Sequence, residues 1–129
     1  MKNKSLFLSI LCLLFANLAF AQAPEIKRTP LQTVPLSTPG KVAIQMIVDI
    51  PPGGVVPKHT HPGEEISYVM SGEIELNIAG QATKVVKAGE AFYAPDGVIH
   101  GGQNSGSTPV KLLVTYVVEK DKPVATLVK

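Results

Sequence analysis

Residues 53–72 read G-G-V-V-P-K-H-T-H-P-G-E-E-I-S-Y-V-M-S-G. Two histidines, His59 and His61, stand two apart. Pro62-Gly63 follows, and then two carboxylates, Glu64 and Glu65. Such a run is either a metal site or a solvated loop rich in His and Glu, and its surroundings decide which. In an extended strand, residues i and i+2 share a face. His59 and His61 therefore point together if Val55–His61 is a strand. Pro62-Gly63 reverses the chain, so a carboxylate early on the returning strand faces the same interior. Two imidazoles, one oxygen and a fourth ligand from elsewhere suffice to chelate an ion. His100, the only other histidine, lies on a distant segment.

Outward from this stretch, the chain reads as short strands fenced by turn residues. In Lys41–Ile50, Val42, Ile44, Met46, Val48 and Ile50 recur with period two. Pro51-Pro52-Gly53-Gly54 ends that run. Glu65–Ser71 is closed by Gly72. Glu73–Ile78 alternates E-I-E-L-N-I, with Ile74, Leu76 and Ile78 on one face. Ala82–Val86, Ala91–Ala94, His100–Asn104 and Val110–Val118 follow. No stretch carries a convincing 3.6-residue period. The expectation is an all-β sandwich or barrel. Residues 22–40 contain Pro24, Pro30, Pro35 and Pro39, which disfavours a helix. Leu31, Val34 and Leu36 suit an edge strand or an arm. The division expected is a Pro-rich arm over 22–40, a barrel over 41–118 and a tail over 119–129. Lys120, Asp121 and Lys122 read as solvated, while Val124–Val128 either adds an edge strand or stays loose.

Two spaced patterns then stand out. The first is Gly53-x5-His59-x-His61-x3-Glu65-x6-Gly72. The second is Gly89-x5-Pro95-x-Gly97-x2-His100-x3-Asn104. In order and with this short spacer, they resemble the paired motifs of the cupin superfamily, and of its small single-domain members in particular. The resemblance covers Gly53 to Asn104. It implies a jelly-roll barrel, a double-stranded β-helix. It also implies one divalent transition metal held by His59, His61, Glu65 and His100. The family spacing to Gly72 selects Glu65 over Glu64. Asn104 is expected as a structural hydrogen-bonder. Tyr68, Phe92, Tyr93 and Tyr116 are expected as packing residues. If Glu65 faces inward, alternation sends Ser67 inward too, where it serves as pocket wall or substrate contact. On Lys41–Ile50 the register decides whether Gln45 or Met46 sees the pocket. The pocket candidates are Ser67, Gln45 and Phe92.

The first 21 residues read as a secretory signal peptide. Lys2 and Lys4 precede an apolar run from Leu6 to Leu14, and Ala19-Phe20-Ala21 is a small-x-small cleavage signal. The run is short of the ~20 apolar residues of a span, so no membrane anchor is expected after cleavage. Cys12, the only cysteine, leaves with the leader, which rules out thiolate ligands and cysteine catalysis. Losing Lys2 and Lys4 lowers Lys+Arg from 12 to 10, level with the 10 Asp+Glu. A neutral, exported chain has no electrostatic grip on nucleic acid. A periplasmic or secreted location is expected.

An N3O donor set without sulfur accommodates Fe, Mn, Co, Ni, Cu or Zn. Four protein ligands leave positions for water, substrate or O2 in a six-coordinate site. Three functions are open: a metal-dependent dioxygenase or isomerase/lyase, a non-catalytic small-molecule or metal binder, and a closed storage barrel. For the enzyme, a small polar molecule such as a sugar acid or oxygenated aromatic is the expected partner. A homodimer is expected, with the Pro-rich arm either swapped or folded onto its own barrel.

Overall fold

The computed structural model describes residues 22–129; the leader expected over 1–21 lies outside them. Ten strands follow one another among the described residues. They are β1 (Lys27–Pro35), β2 (Lys41–Ile50), β3 (Val55–Thr60), β4 (Gly63–Ser71), β5 (Glu73–Ile78), β6 (Lys84–Lys87), β7 (Ala91–Ala94), β8 (His100–Gln103), β9 (Val110–Glu119) and β10 (Thr126–Leu127).

Period-two sequence becomes two-faced strand where burial is sharpest. On β9, Val110, Leu112, Val114, Tyr116 and Val118 are buried, and the residues between them are half-buried. On β2, Val48 and Ile50 are buried, while Val42, Ile44 and Met46 pack against the core. The strands form two antiparallel five-stranded sheets, ordered β1-β2-β9-β4-β7 and β10-β3-β8-β5-β6. Apart from the β1-β2 and β5-β6 hairpins, sequence neighbours alternate between the sheets, as in a jelly roll. The apolar core lies between the inner faces. All-β architecture is what the periodicity predicts.

Two segments take the edge-strand alternative that their sequence left open. The Pro-rich stretch runs as β1 along β2, from Lys27 opposite Asp49 to Pro35 opposite Val42. It is a sheet-edge strand, a position that tolerates proline, and its register slips between Pro30 and Gln32. The tail also returns to the body, where Thr126 and Leu127 pair with Thr60 and His59.

Local geometry sets up the central stretch. β3 slips register against β8 between Val56 and His59, a bulge that accommodates Pro57, which has no N–H to donate. Regular pairing resumes with His59 opposite His100. Gly63 then opens β4 with φ +152°, and a Cβ there would collide with the Val117 carbonyl. Only glycine lets β4 dock so closely on β9 two residues before Glu65.

Candidate metal centre

His59 ends the pairing of β3 with β8, and His61 lies just beyond the strand. Glu65 comes from β4 in the other sheet, and His100 is the first residue of β8. The site therefore spans the seam between the sheets. One ligand atom from each of the four residues lies within 4.8 Å of all the others. All four residues are buried. Glu64 takes no part and lies opposite Val117 on the other face of β4.

Each imidazole is oriented from behind by a backbone carbonyl. His59 Nδ1 donates to Pro57 O at 2.7 Å, and His100 Nδ1 donates to Val98 O at 2.9 Å. His61 Nδ1 donates to the carbonyl of Val124 in the returning tail. A neutral imidazole has one N–H and one lone pair, so these bonds leave every Nε2 as a lone pair facing inward. The Nε2 atoms of His59 and His61 are then 3.1 Å apart. Glu65 Oε2 lies 2.9 Å from His61 Nε2 and 3.0 Å from His100 Nε2. Lone pairs directed at one another are repulsive unless a cation, or added protons, lie among them. Three imidazole nitrogens and a carboxylate oxygen form a donor set that fits a divalent transition metal.

Charge is arranged to match. Burial would push the Glu65 carboxyl up, but without a metal hydrogen bonds from the added protons on Nε2 of His100 and His61, and from the Ser67 hydroxyl, outweigh it and hold the group at about 2. Ser67 Oγ supplies the last of these, 2.7 Å from Glu65 Oε1. For His59, burial and the neighbouring histidines lower the pKa against its bond to Pro57. For His100, burial opposes ionisation but the contact with Glu65 raises the pKa above the ordinary value.

The cluster lies on the wall of a cavity of about 120 Å³. Phe92, one of the three pocket candidates, is among its lining residues. Ser67 does not; it is buried behind Glu65 and orients that carboxylate. Gln45 does not either. Met46 shares the inward face with Val48, so Gln45 faces outward, accepting from Gln32 at 2.7 Å and donating to Thr115 at 3.1 Å. Asn104 is buried and donates to the carbonyls of Ile50 and Thr108.

Four residues of the cavity wall escape the sequence reading. Tyr116 lines the cavity with its ring centroid 4.6 Å from that of His61. Burial and the Glu65 charge push its phenol above the ordinary value, which keeps it a neutral hydroxyl. The sequence marks Tyr116 only as a packing residue; its pairing opposite Glu65 brings it to the site. Arg28 of β1 and Ala125 and Leu127 of the tail also line the cavity. No local pattern marks these three.

Comparison with known proteins places this geometry. The Germin-like protein subfamily 2 member 2 of Arabidopsis thaliana is 39% identical over 74 residues, which span 54% of this chain and 34% of that protein. Oxalate oxidase 2 of Hordeum vulgare is 39% identical over 77 residues, with the same two shares. The chain thus spans about a third of the length of these curated relatives, at 34%. A solved oxalate oxidase in complex with the substrate analogue glycolate superposes with a TM-score of 0.65 at 29% identity. It covers 84% of this chain and 57% of that one. The family model described as Cupin domain matches residues 46–116, more than half the chain, from within β2 to Tyr116. With two antiparallel sheets closed around a convergent His and Glu cluster, the chain belongs to the cupin family.

Proposed function

We propose that this protein is an exported, metal-dependent enzyme acting on a small, oxygen-rich aliphatic molecule. The metal is one divalent transition ion held by His59, His61, Glu65 and His100. The observation that carries this reading is the set of inward lone pairs, carbonyl-locked and open to a cavity. When bound, such an ion polarises an oxygen of the substrate as a Lewis acid or, if redox-active, supports oxygen chemistry. The chain's own groups do the rest. Glu65 stays ionised, Tyr116 offers a neutral hydroxyl, and Val48, Leu112 and Val114 form an apolar wall. The cavity of about 120 Å³ is smaller than the ~150 Å³ that accommodates benzene. That favours a sugar-acid fragment or two-carbon acid over an oxygenated aromatic. Oxalate oxidases, and the glycolate held by one of them, support the same size class.

The test is metal content by plasma mass spectrometry, followed by turnover. Protein recovered from the exported fraction, with Gln22 as its first residue, is expected to hold near-stoichiometric metal. His59→Ala and His100→Ala are expected to hold little. Oxygen uptake or isomerised product from small hydroxy and dicarboxylic acids completes the reading. Saturable binding without product favours a non-catalytic binder, a reading consistent with a cavity whose ionisable lining beyond the ligands is, among the described residues, Tyr116 and Arg28 alone. Absence of metal after reconstitution sinks the metal-dependent enzyme and leaves a metal-free pocket that binds a small ligand.

Assembly as a homodimer belongs to the same proposal. With β1 folded onto its own β2, the contact falls to the outer face of the first sheet. Ile66, Tyr68, Met70 and Tyr93 are exposed there, a concentration of apolar side chains that suits burial against a second copy. Light scattering is expected to give twice the chain mass, reduced to one by Tyr93→Lys with Ile66→Lys. A monomeric wild type ends the idea.

A further inference from the structure

Among the described residues, Arg28 is the one positively charged side chain lining the cavity other than the histidines. Its placement follows from the ladders. Arg28 lies opposite Val48, and Val48 lies opposite Leu112. Directly paired residues share a sheet face, and both Val48 and Leu112 are buried and line the cavity. Arg28 therefore belongs to the inward row, at its exposed edge. Asp49, the carboxylate next to Val48, belongs to the other face, where it holds Lys111 at 2.9 Å. Among the described residues no carboxylate pairs with Arg28.

We propose that Arg28 is the specificity-determining residue of this cavity and that it recognises a carboxylate of the substrate. The proposal rests on the metal-dependent reading above and narrows it. A guanidinium presents a planar fork of donors that matches a carboxylate two-to-two. Apolar walls strengthen that attraction over its value in water. The charge balance points the same way. A divalent ion offset by Glu65 leaves one positive charge, and Arg28 adds a second. The ligand that answers both is a small aliphatic acid with one carboxylate for Arg28 and a further oxygen donor for the ion. An exposed position costs Arg28 some strength but lets it draw anions from solvent.

The experiment is a calorimetric titration of glycolate, and of its uncharged amide glycolamide, into zinc-loaded protein. Wild type, Arg28→Gln and Arg28→Lys are compared at matched zinc content. Arg28→Gln is expected to weaken glycolate roughly ten- to hundredfold and to leave glycolamide unchanged. Arg28→Lys is expected to restore part of the loss, since it keeps the charge but not the fork. Equal glycolate affinity in wild type and Arg28→Gln at full zinc content would overturn the proposal and leave the metal centre standing. A wild type that takes zinc but not glycolate overturns it too. If none of the three proteins takes zinc, the metal-dependent reading falls and the proposal with it.

Discussion

Protein carrying Glu65→Gln is expected to lose its divalent ion on dialysis, while Glu64→Gln keeps a full complement. The two residues are adjacent in sequence but lie on opposite faces of β4. Glu65 is buried with Oε2 within 3.0 Å of two imidazole nitrogens. Glu64 is half-buried on the outer face. Glutamine keeps the size of the side chain and removes its charge. The neutral amide cannot offset the ion, and the three imidazoles alone must hold it. The expected fall in affinity exceeds ~100-fold, the upper end of what loss of a group merely supporting a ligand costs. Competition against a chromophoric chelator would measure it. Metal lost from the Glu64 variant and kept by the Glu65 variant would refute the assignment.

Stability against pH is the second large effect, and metal should change its shape. In metal-free protein, Glu65 has its carboxyl depressed from 4.5 to about 2. A depressed carboxylate stabilises above its unfolded value and loses that contribution as pH falls through the folded one. The contribution is about 3 kcal/mol. His100, raised above 6.5, contributes stability that is fully present below that value and lost as pH rises through its folded pKa. His59, lowered from 6.5, favours the fold when neutral, so its contribution fades as pH drops below 6.5. Together they place the metal-free maximum near pH 6.5, with the steepest acid loss below about 4.5. With metal bound the imidazoles must be neutral, so the extra stability conferred by metal grows as pH rises and shrinks in acid. Thermal unfolding with and without metal from pH 4 to 8 reads this directly. Parallel curves would contradict it.

How much of this was legible in the sequence depends on whether the cause is local. Period two in β2 and β5 is local, and it marked the core faces correctly. The His59, His61 and Glu65 spacing is nearly local, because one turn at Pro62-Gly63 joins the strands. The fate of Gln45 was not legible. Its strand alternates cleanly, but which face meets the pocket depends on pairing with β1 and β9. Register across non-adjacent strands is set by turns and packing far away. Tyr116 shows the same limit, since its role comes from standing opposite Glu65 rather than from its own neighbours. Arg28 and the tail lie in segments whose proline and polar content reads as peripheral. They become part of the site only when the sheets close.

Val124 is 63 residues downstream of His61, whose ring it orients. The consequence concerns time rather than space. During synthesis, His59, His61 and Glu65 emerge early and together, and His100 follows. An ion meeting that partial chain finds ligands whose rings are not yet all fixed. Only after residues 124–127 have been made, and Thr126 and Leu127 have paired with β3, does His61 gain its carbonyl partner and the cavity its remaining wall. If the site takes a metal, choice among competing ions would then be a late event. The concentrations that matter are those surrounding the finished chain, not those around the ribosome.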